Sequence, residues 1–125
     1  MRNILPLIGI DEVRFGQSPR EVSDLLGTPD HMRDMPSGEF EMLYGEQIYR
    51  FLNFRLVECA WPDDGPVQID GQTVLNLFNW LSTQSDCKDR ARFRICNPLG
   101  IAFDYRESDQ GHIVIYEAQH WDGLI

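Results

Sequence analysis

The chain has 125 residues, of which 42% are hydrophobic, and its 20 acidic and 11 basic side chains give a net charge of −9. This length and apolar content fit one domain with a single core, spanning residues 1–125, and no apolar run approaches the roughly 20 residues of a membrane-spanning helix. A negative chain repels nucleic-acid phosphates and is suited to attract a basic partner, with plain solubility as the alternative explanation.

The N-terminal segment and the cysteines predict the compartment. The apolar patch in MRNILPLIGIDE ends at Asp11, which is too short for a secretory signal, and no A-x-A-like cleavage site follows. We therefore expect a cytoplasmic location without membrane contact. Cys59, Cys87 and Cys96 are expected to be free thiols packed as small hydrophobes, and no C-x2-C or H-x3-H pair indicates zinc.

The first predicted element is a helix over Pro19–Leu26. Ser18 is expected to be its N-cap, Glu21 the returning half of a capping box, and Gly27 a left-handed C-cap. The apolar face consists of Val22, Leu25 and Leu26. Leu26 is expected to be the central contact of this helix with the sheet. A helix this short needs such a contact, because isolated short helices are marginal in water.

Strands and a second helix follow in chain order. Strands are predicted at Glu39–Tyr44, Ile48–Leu52, Phe54–Trp61, Arg92–Cys96, Ile101–Arg106 and His112–Ala118, and the second helix at about Thr73–Thr83. The turn-rich segment Trp61–Pro66 separates two halves that look alike, about 13–61 and 67–118. Gly16-Gln17-Ser18 corresponds to Gly71-Gln72-Thr73, so the halves are interpreted as two helix-plus-three-strand repeats, with chance similarity as the alternative.

These elements predict an α+β fold, with short helices packed on one face of a curled antiparallel sheet. Alternation assigns the strand residues of the second half to two faces. The residues expected to face the helices are Phe93, Ile95, Ile101, Phe103, Tyr105, Ile113 and Ile115. The residues expected to face outward are Arg92, Arg94, Asp104, Arg106, Val114 and Tyr116.

The L-L-G-x-P-D helix end followed by strand aromatics resembles a known pattern. Gly16, Val22, Leu25, Leu26, Gly27, Pro29, Tyr44 and Phe51 are similar to the repeat of beta-lactamase inhibitory protein and of the small outer-membrane assembly lipoproteins of the SmpA/OmlA type. The match covers about Val13–Cys59 and, more weakly, Gln72–Ala118. The resemblance implies a protein-binding fold of the kind used by toxin immunity proteins. The lipoproteins' signal peptide and lipid-bearing N-terminal cysteine are not found, so an envelope role is not implied.

No motif for catalysis or cofactor binding is present. The sequence contains no G-x-S-x-G, H-E-x-x-H or P-loop pattern, so we expect no enzyme activity, no cofactor and no metal. Glu39 and Glu41 alternate on one strand face, where paired carboxylates could act as acid and base, but a solvated edge is the expected role. Asp63 and Asp64 belong to a turn in which aspartate favours local hydrogen bonds over metal binding.

Two surfaces are candidates for partner binding. The first is the outward sheet face, which combines residue types common at protein–protein hot spots: Arg92, Arg94, Arg106 and Tyr116, with Tyr49 and Trp61 from the first half. The alternative interpretation is an ordinary solvent-exposed face with Arg–Asp pairs. The second surface is an acidic loop group, defined as Asp63, Asp64 and Asp70, which could meet a basic partner.

The sequence predicts a non-enzymatic, cytoplasmic immunity or inhibitor protein that neutralises a bacterial toxin with a basic surface by occluding it. A structural or assembly module that binds a host protein is the alternative. A small ligand-binding domain or enzyme is the third possibility, and a deep pocket with converging polar groups would favour it.

Overall fold

β-Strands are the main secondary structure of this protein, as seen in a computed structural model in which residues 1–105 and 111–124 are described. In chain order the elements are β1 (Asn3–Leu5), β2 (Gly9–Ile10), β3 (Val13–Arg14), α1 (Pro19–Leu26), β4 (His31–Asp34), β5 (Glu39–Tyr44), β6 (Gln47–Leu52), β7 (Arg55–Pro62), β8 (Val67–Ile69), β9 (Gln72–Val74), α2 (Leu77–Ser82), β10 (Lys88–Arg90), β11 (Phe93–Cys96), β12 (Ile101–Asp104) and β13 (His112–Tyr116). Two 3-10 turns cover Asn97–Leu99 and Asp122–Leu124.

The strands form two sheets. The smaller sheet has the order β3-β2-β1-β8-β9, and its β1–β8 pair is parallel. The larger sheet is antiparallel and has the order β10-β11-β12-β13-β7-β6-β5-β4. Each half of the chain therefore contributes a helix and a four-stranded meander, and the two meanders join where β13 pairs with β7. A duplication of the halves stays a prediction.

The predicted α+β class is wrong. Strands account for 45% of the residues and helices for 16%, and the second layer on the larger sheet includes a five-stranded sheet, not helices alone. The strand predictions in the larger sheet hold for six of its strands to within two residues, whereas β4 and β10 and the whole smaller sheet were missed. Strands of two or three residues are too short to show alternation, so a sequence pattern cannot separate them from loops.

Helix α1 has the predicted boundaries and N-terminal cap. The Ser18 hydroxyl accepts the Glu21 backbone N–H, and the Glu21 carboxylate accepts the Ser18 N–H. Gly27 ends the helix at φ 90° but with an extended ψ, so the expected left-handed cap is wrong. Leu26 is not the central contact, since it is 39% exposed, and the residue that α1 buries is Val22.

Helix α2 is shorter than expected. The predicted N-terminal residues instead form β9, which pairs with β8, and the helix begins after Asn76, whose side chain accepts the Asn79 N–H. Leu77 and Leu81 are buried. These residues form a strand instead of a helical turn because β8 supplies backbone hydrogen-bond partners, which the sequence pattern does not reveal.

The two sheets share one core with both helices. The larger sheet contributes residues of what we call its inner face, including Met42, Tyr49, Phe51, Cys59, Trp61 and Ile113. The smaller sheet contributes Ile4, Ile10, Val13, Val67, Ile69 and Val74. Val22, Leu77 and Leu81 complete the same cluster. Among the described residues, no second sheet packs on the opposite, outer face of the larger sheet.

The predicted alternation in β11 is wrong by one residue. Cys96 pairs with Ile101 and belongs to the core, so Phe93 and Ile95 face outward and Arg94 faces inward. A one-residue shift moves every side chain of a strand to the other face. The outward assignment of Asp104 agrees with this register, because it lies opposite Phe93.

Two of the three cysteines are not free. Cys87 and Cys96 form a disulfide that ties the segment after α2 to β11, and only Cys59 is a free, buried thiol. Burial raises the pKa of the Cys59 thiol, and the Glu58 carboxylate adds to that rise. The prediction of three free thiols is therefore wrong for this pair. Nothing in the spacing of the two cysteines separates a bridge from two packed thiols.

Candidate functional site: a groove on the outer sheet face

The outer face of the larger sheet forms an open groove of about 980 Å³, which we call the outer groove. Both edge strands line it, through Arg33 on β4 and Arg90 on β10. Neighbouring strands lie about 4.8 Å apart, so a flat sheet would hold its two edges far from one another. The sheet therefore curls around this groove.

Four charged side chains form a row across four adjacent strands, and we call them the charge ladder. Its members, in order from β4 to β7, are Arg33, Glu41, Arg50 and Glu58. Arg33 Nε donates to Glu41 Oε1 at 2.6 Å, and Arg50 Nε donates to Glu41 Oε2 at 2.5 Å. Arg50 Nη1 donates to Glu58 Oε2. Alternating signs on neighbouring strands make each cross-strand pair attractive.

The ladder carboxylates are buried and paired. Glu41 is 1% exposed, so the predicted solvated edge is wrong for this residue. Burial alone would raise the pKa of Glu41, but the hydrogen bonds and charges of Arg50 and Arg33 outweigh it and hold the pKa below its ordinary value of 4.5. For Arg50, burial opposes the charge while Glu58 and Glu41 favour it, and the pKa is raised. Both groups therefore stay ionised at neutral pH.

An apolar row lies beside the charge ladder. Ile48, Ala60, Val114 and Ile95 line the groove, with Ala102 paired between the last two. These side chains come from β6, β7, β13 and β11. We call them the apolar floor. Small and branched residues here leave open space above the sheet, which the groove occupies.

The far side of the groove carries an ion pair separate from the charge ladder. Arg92 Nε lies 3.0 Å from Asp104 Oδ2, and the Arg92 guanidinium stands over the Phe93 ring at 5.3 Å from its centroid. Asp104 is 3% exposed, whereas the Arg92 side chain is 50% exposed. His112 lies opposite Asp104 on β13 and also lines the groove.

The C-terminal segment covers one end of the outer face. Trp121 stacks on Tyr116 with ring centroids 4.7 Å apart and meets Phe93 edge-on at 5.1 Å. The Trp121 Nε1–H donates to Glu58 Oε1 at 2.8 Å, and His120 Nε2 lies 3.8 Å from the same oxygen. The segment thus ends the charge ladder and fixes a tryptophan at the wall of the groove.

Two of the predicted partner-binding residues lie on the outer face. Arg92 is exposed at the groove wall, as expected. Tyr116 faces outward but is fully buried, because Trp121 covers its ring and its hydroxyl donates to Asn97 Oδ1 at 3.0 Å. The prediction that Tyr116 offers a contact surface is therefore wrong.

The remaining residues of that prediction lie elsewhere. Tyr49 and Trp61 are buried on the inner face, where the Arg2 guanidinium stands 5.2 Å from the centre of the Trp61 ring. Arg94 contacts α2: its guanidinium lies 4.1 Å from the Phe78 ring and donates to Ser82 Oγ. These three positions are not part of the outer groove, which corrects the prediction. Arg106 lies outside the described residues.

The acidic loop group lies near the N-terminal strand, away from the groove lining. Asp64 is bound by Arg2 at 2.8 Å, and Asp70 is an exposed turn residue with φ 50°. Asp63 is half-buried; this burial raises its pKa, and the nearby Asp64 charge adds to the rise. The three carboxylates are thus less uniformly solvated than the sequence suggests.

Sequence reasoning missed most of the groove. Arg33, Arg50, Glu58 and Trp121 were not singled out. The available signal was a charged residue in the middle of an otherwise apolar strand. Glu41 within EFEMLY and Arg50 within QIYRFL are such residues. Recognising it requires the cross-strand register, which places the charges side by side.

The described residues include no group of three or more histidine, cysteine or acidic side chains arranged to hold a metal ion. Within the same ranges, no helix has the length and apolar character needed to cross a membrane. The buried Trp61 Nε1 and His112 Nδ1 have no hydrogen-bond partner among these residues. Comparison with protein-family models, with curated proteins and with solved structures gives no match for this chain.

Proposed function

We propose that this chain is a non-enzymatic binding protein of the immunity or inhibitor class, which neutralises a toxin by occluding it. The outer groove carries this proposal. It is open, it is lined by an apolar floor between arginines, and its shape is set by paired charges and a stacked tryptophan. Such a preformed surface binds a protein with little loss of conformational entropy.

The ion pairs of the groove carboxylates favour binding over carboxylate-based catalysis. Glu41, Glu58 and Asp104 are the buried carboxylates of the outer face, and each is held by an arginine. A general acid or base exchanges a proton near neutral pH, and Glu41 is unsuited to this because Arg50 and Arg33 hold its pKa below its ordinary value. The groove is also open, unlike the deep pocket expected of a small-ligand site.

The partner is proposed to carry a basic surface around its docking site. The chain has a net charge of −9, and attraction between opposite net charges speeds association. An assembly module that binds a host protein would use the same groove, so the identity of the partner decides between the two. The resemblance to inhibitory proteins supports the first.

A cytoplasmic location was expected, and the Cys87–Cys96 disulfide argues against it. Disulfides persist in oxidising compartments and are rare where glutathione and thioredoxin keep thiols reduced. Trapping thiols in intact cells with a maleimide reagent would decide this point. Modification of Cys87 would support the cytoplasm, and its protection until reduction would support an oxidising compartment.

The function is tested by co-expressing the chain with the product of the neighbouring gene. We expect the pair to co-purify and the chain to rescue growth if that product is toxic. Ile48→Arg fills the groove and should abolish both effects. The matched control is Leu75→Arg, which places the same side chain at a 78% exposed apolar site outside the groove lining. Equal effects of the two variants would contradict the groove as the docking site.

A further inference from the structure

The charge of the outer groove differs from that of the chain. Its lining includes four arginines, Arg33, Arg50, Arg90 and Arg92, and three carboxylates, Glu39, Glu58 and Asp104. With Glu41, which pairs with Arg33 and Arg50 on the same face, these charges balance, whereas the whole chain carries −9. A partner that touches the groove meets a different potential from the one that attracts it at long range.

The polar atoms that a partner can reach in the groove belong mainly to arginines. Glu58 and Asp104 are buried beneath their ion pairs, while the side chains of Arg33 and Arg92 are 54% and 50% exposed. Arg90 is exposed, and its side chain makes no hydrogen bond or ion pair with the described residues. Glu39 is the exception on the acidic side, and its carboxylate accepts from the Ser37 hydroxyl.

These arginines lie on opposite sides of the apolar floor, because Arg33 belongs to the charge ladder and Arg90 pairs with Phe93 in the row of Asp104. Arg33 belongs to the β4 edge, and Arg90 and Arg92 lie on and just after β10 at the opposite edge. Guanidinium groups bind carboxylates through two parallel N–H bonds, which gives both strength and direction. Between them, Ile48 and Val114 offer apolar contact but no polar atom of a side chain.

We infer that the outer groove receives a segment of the partner protein that carries carboxylates at both ends and an apolar side chain between them. This inference rests on the proposed function and specifies the chemistry of the docking segment. The surrounding partner surface is basic, matching the acidic exterior, and the inserted segment is acidic, matching the arginines. Arg33 and Arg90 are the recognition residues.

The probe is a random twelve-residue peptide library displayed on ribosomes and selected on the immobilised full chain. We expect the selected peptides to be rich in aspartate and glutamate around one or two apolar residues. Their binding should be followed through the Trp121 indole N–H resonance, assigned with Trp121→Phe. Ile48→Arg should abolish that binding.

Two variants test the arginines. Arg33→Gln and Arg90→Glu together should weaken peptide binding at least tenfold, as expected for the loss of charge-assisted hydrogen bonds. Arg20→Glu, which makes the charge change of Arg90→Glu on the exposed surface of α1, should leave the affinity within twofold.

The outcomes separate the inference from the proposed function. The inference would be overturned if the groove-bound peptides were rich in lysine or arginine. It would also be overturned if acidic peptides bound the arginine variants with unchanged affinity. In both cases the groove would remain a docking site. If the selected peptides bind Ile48→Arg with unchanged affinity, the groove is not the docking site, and both the inference and the proposed function are contradicted.

Discussion

Replacing Arg50 by methionine should destabilise the fold more than the same replacement of Arg33, the other arginine of the charge ladder. Methionine keeps much of the side-chain volume but removes the guanidinium that joins Glu41 to Glu58. Both carboxylates are buried, with exposures of 1% and 7%. Removing one partner of a buried ion pair leaves an uncompensated charge and costs about 3–5 kcal/mol.

The remaining contacts set the size of the effect. Glu41 keeps Arg33, and Glu58 keeps the Trp121 indole N–H. We therefore expect Arg50→Met to lower the free energy of unfolding by about 3 kcal/mol at pH 7, near the lower end of that range. A domain of this kind has about 5–15 kcal/mol in total, so urea denaturation resolves the change.

Arg33→Met is the matched control because it removes the other arginine from the same carboxylate. The Arg33 side chain is 54% exposed, so its ion pair is screened by water. The expected loss is about 0.5–1 kcal/mol. If the two variants lose equal stability, or if Arg50→Met loses less than about 1 kcal/mol, the ladder is not the buried network described here.

The pH dependence gives a second readout. The folded pKa of Glu41 lies below its ordinary value of 4.5, so its contribution to stability is complete above that pH and is lost as pH falls through the folded pKa. The difference in stability between wild type and Arg50→Met should therefore be largest near pH 7 and shrink below about pH 4.5. A difference that grows on acidification would refute this assignment.

Three further predictions concern stability and association. Val22→Ala should cost about 1.5–3 kcal/mol and Leu26→Ala less than about 1 kcal/mol, measured by urea denaturation, because the first is fully buried and the second is not. Cys87→Ser should lower stability by about 2.5 kcal/mol through the lost loop constraint, and non-reducing mass spectrometry of the wild type should show the bridge; a free thiol there would contradict it. Neutralising the acidic loop group should slow association with a basic partner severalfold at low salt and change stability by about 1 kcal/mol or less; unchanged stopped-flow rates would remove that group from the long-range attraction.

The sequence predicts the parts of the fold whose signals are local. The capping box of α1 needs only Ser18, Pro19 and Glu21 in the right order, and the structure places them as expected. Strands β5, β6 and β7 are long enough to show alternation. By contrast, β1 and β8 form a parallel pair between residues more than sixty positions apart, and each has three residues. Such a sheet is specified by long-range burial, which no local window contains.

The site was harder to predict because it depends on the cross-strand register and on which side chains are covered by other segments. Placing Phe93 on the wrong face of β11 follows from a one-residue ambiguity at a turn, and it removed an aromatic residue from the groove. Tyr116 was assigned to the correct face, but its exposure depends on Trp121, which reaches it from a loop beyond the last strand. Composition indicates residue types suited to an interface; the cross-strand register decides which of them meet.

The separation of charge between groove and exterior has a kinetic consequence. Because the charges of the outer face balance, the rest of the chain carries the whole negative charge, and that charge acts over distances comparable to the screening length of about 8 Å at physiological salt. Long-range attraction changes the association rate and weakens with salt, whereas desolvated contacts within the groove change the dissociation rate. Variants of the acidic residues outside the groove should therefore change the association rate, and variants of the arginines inside it should change the dissociation rate. Variants of the first kind should become indistinguishable from wild type at high salt, and variants of Arg33 or Arg90 should keep their faster dissociation there.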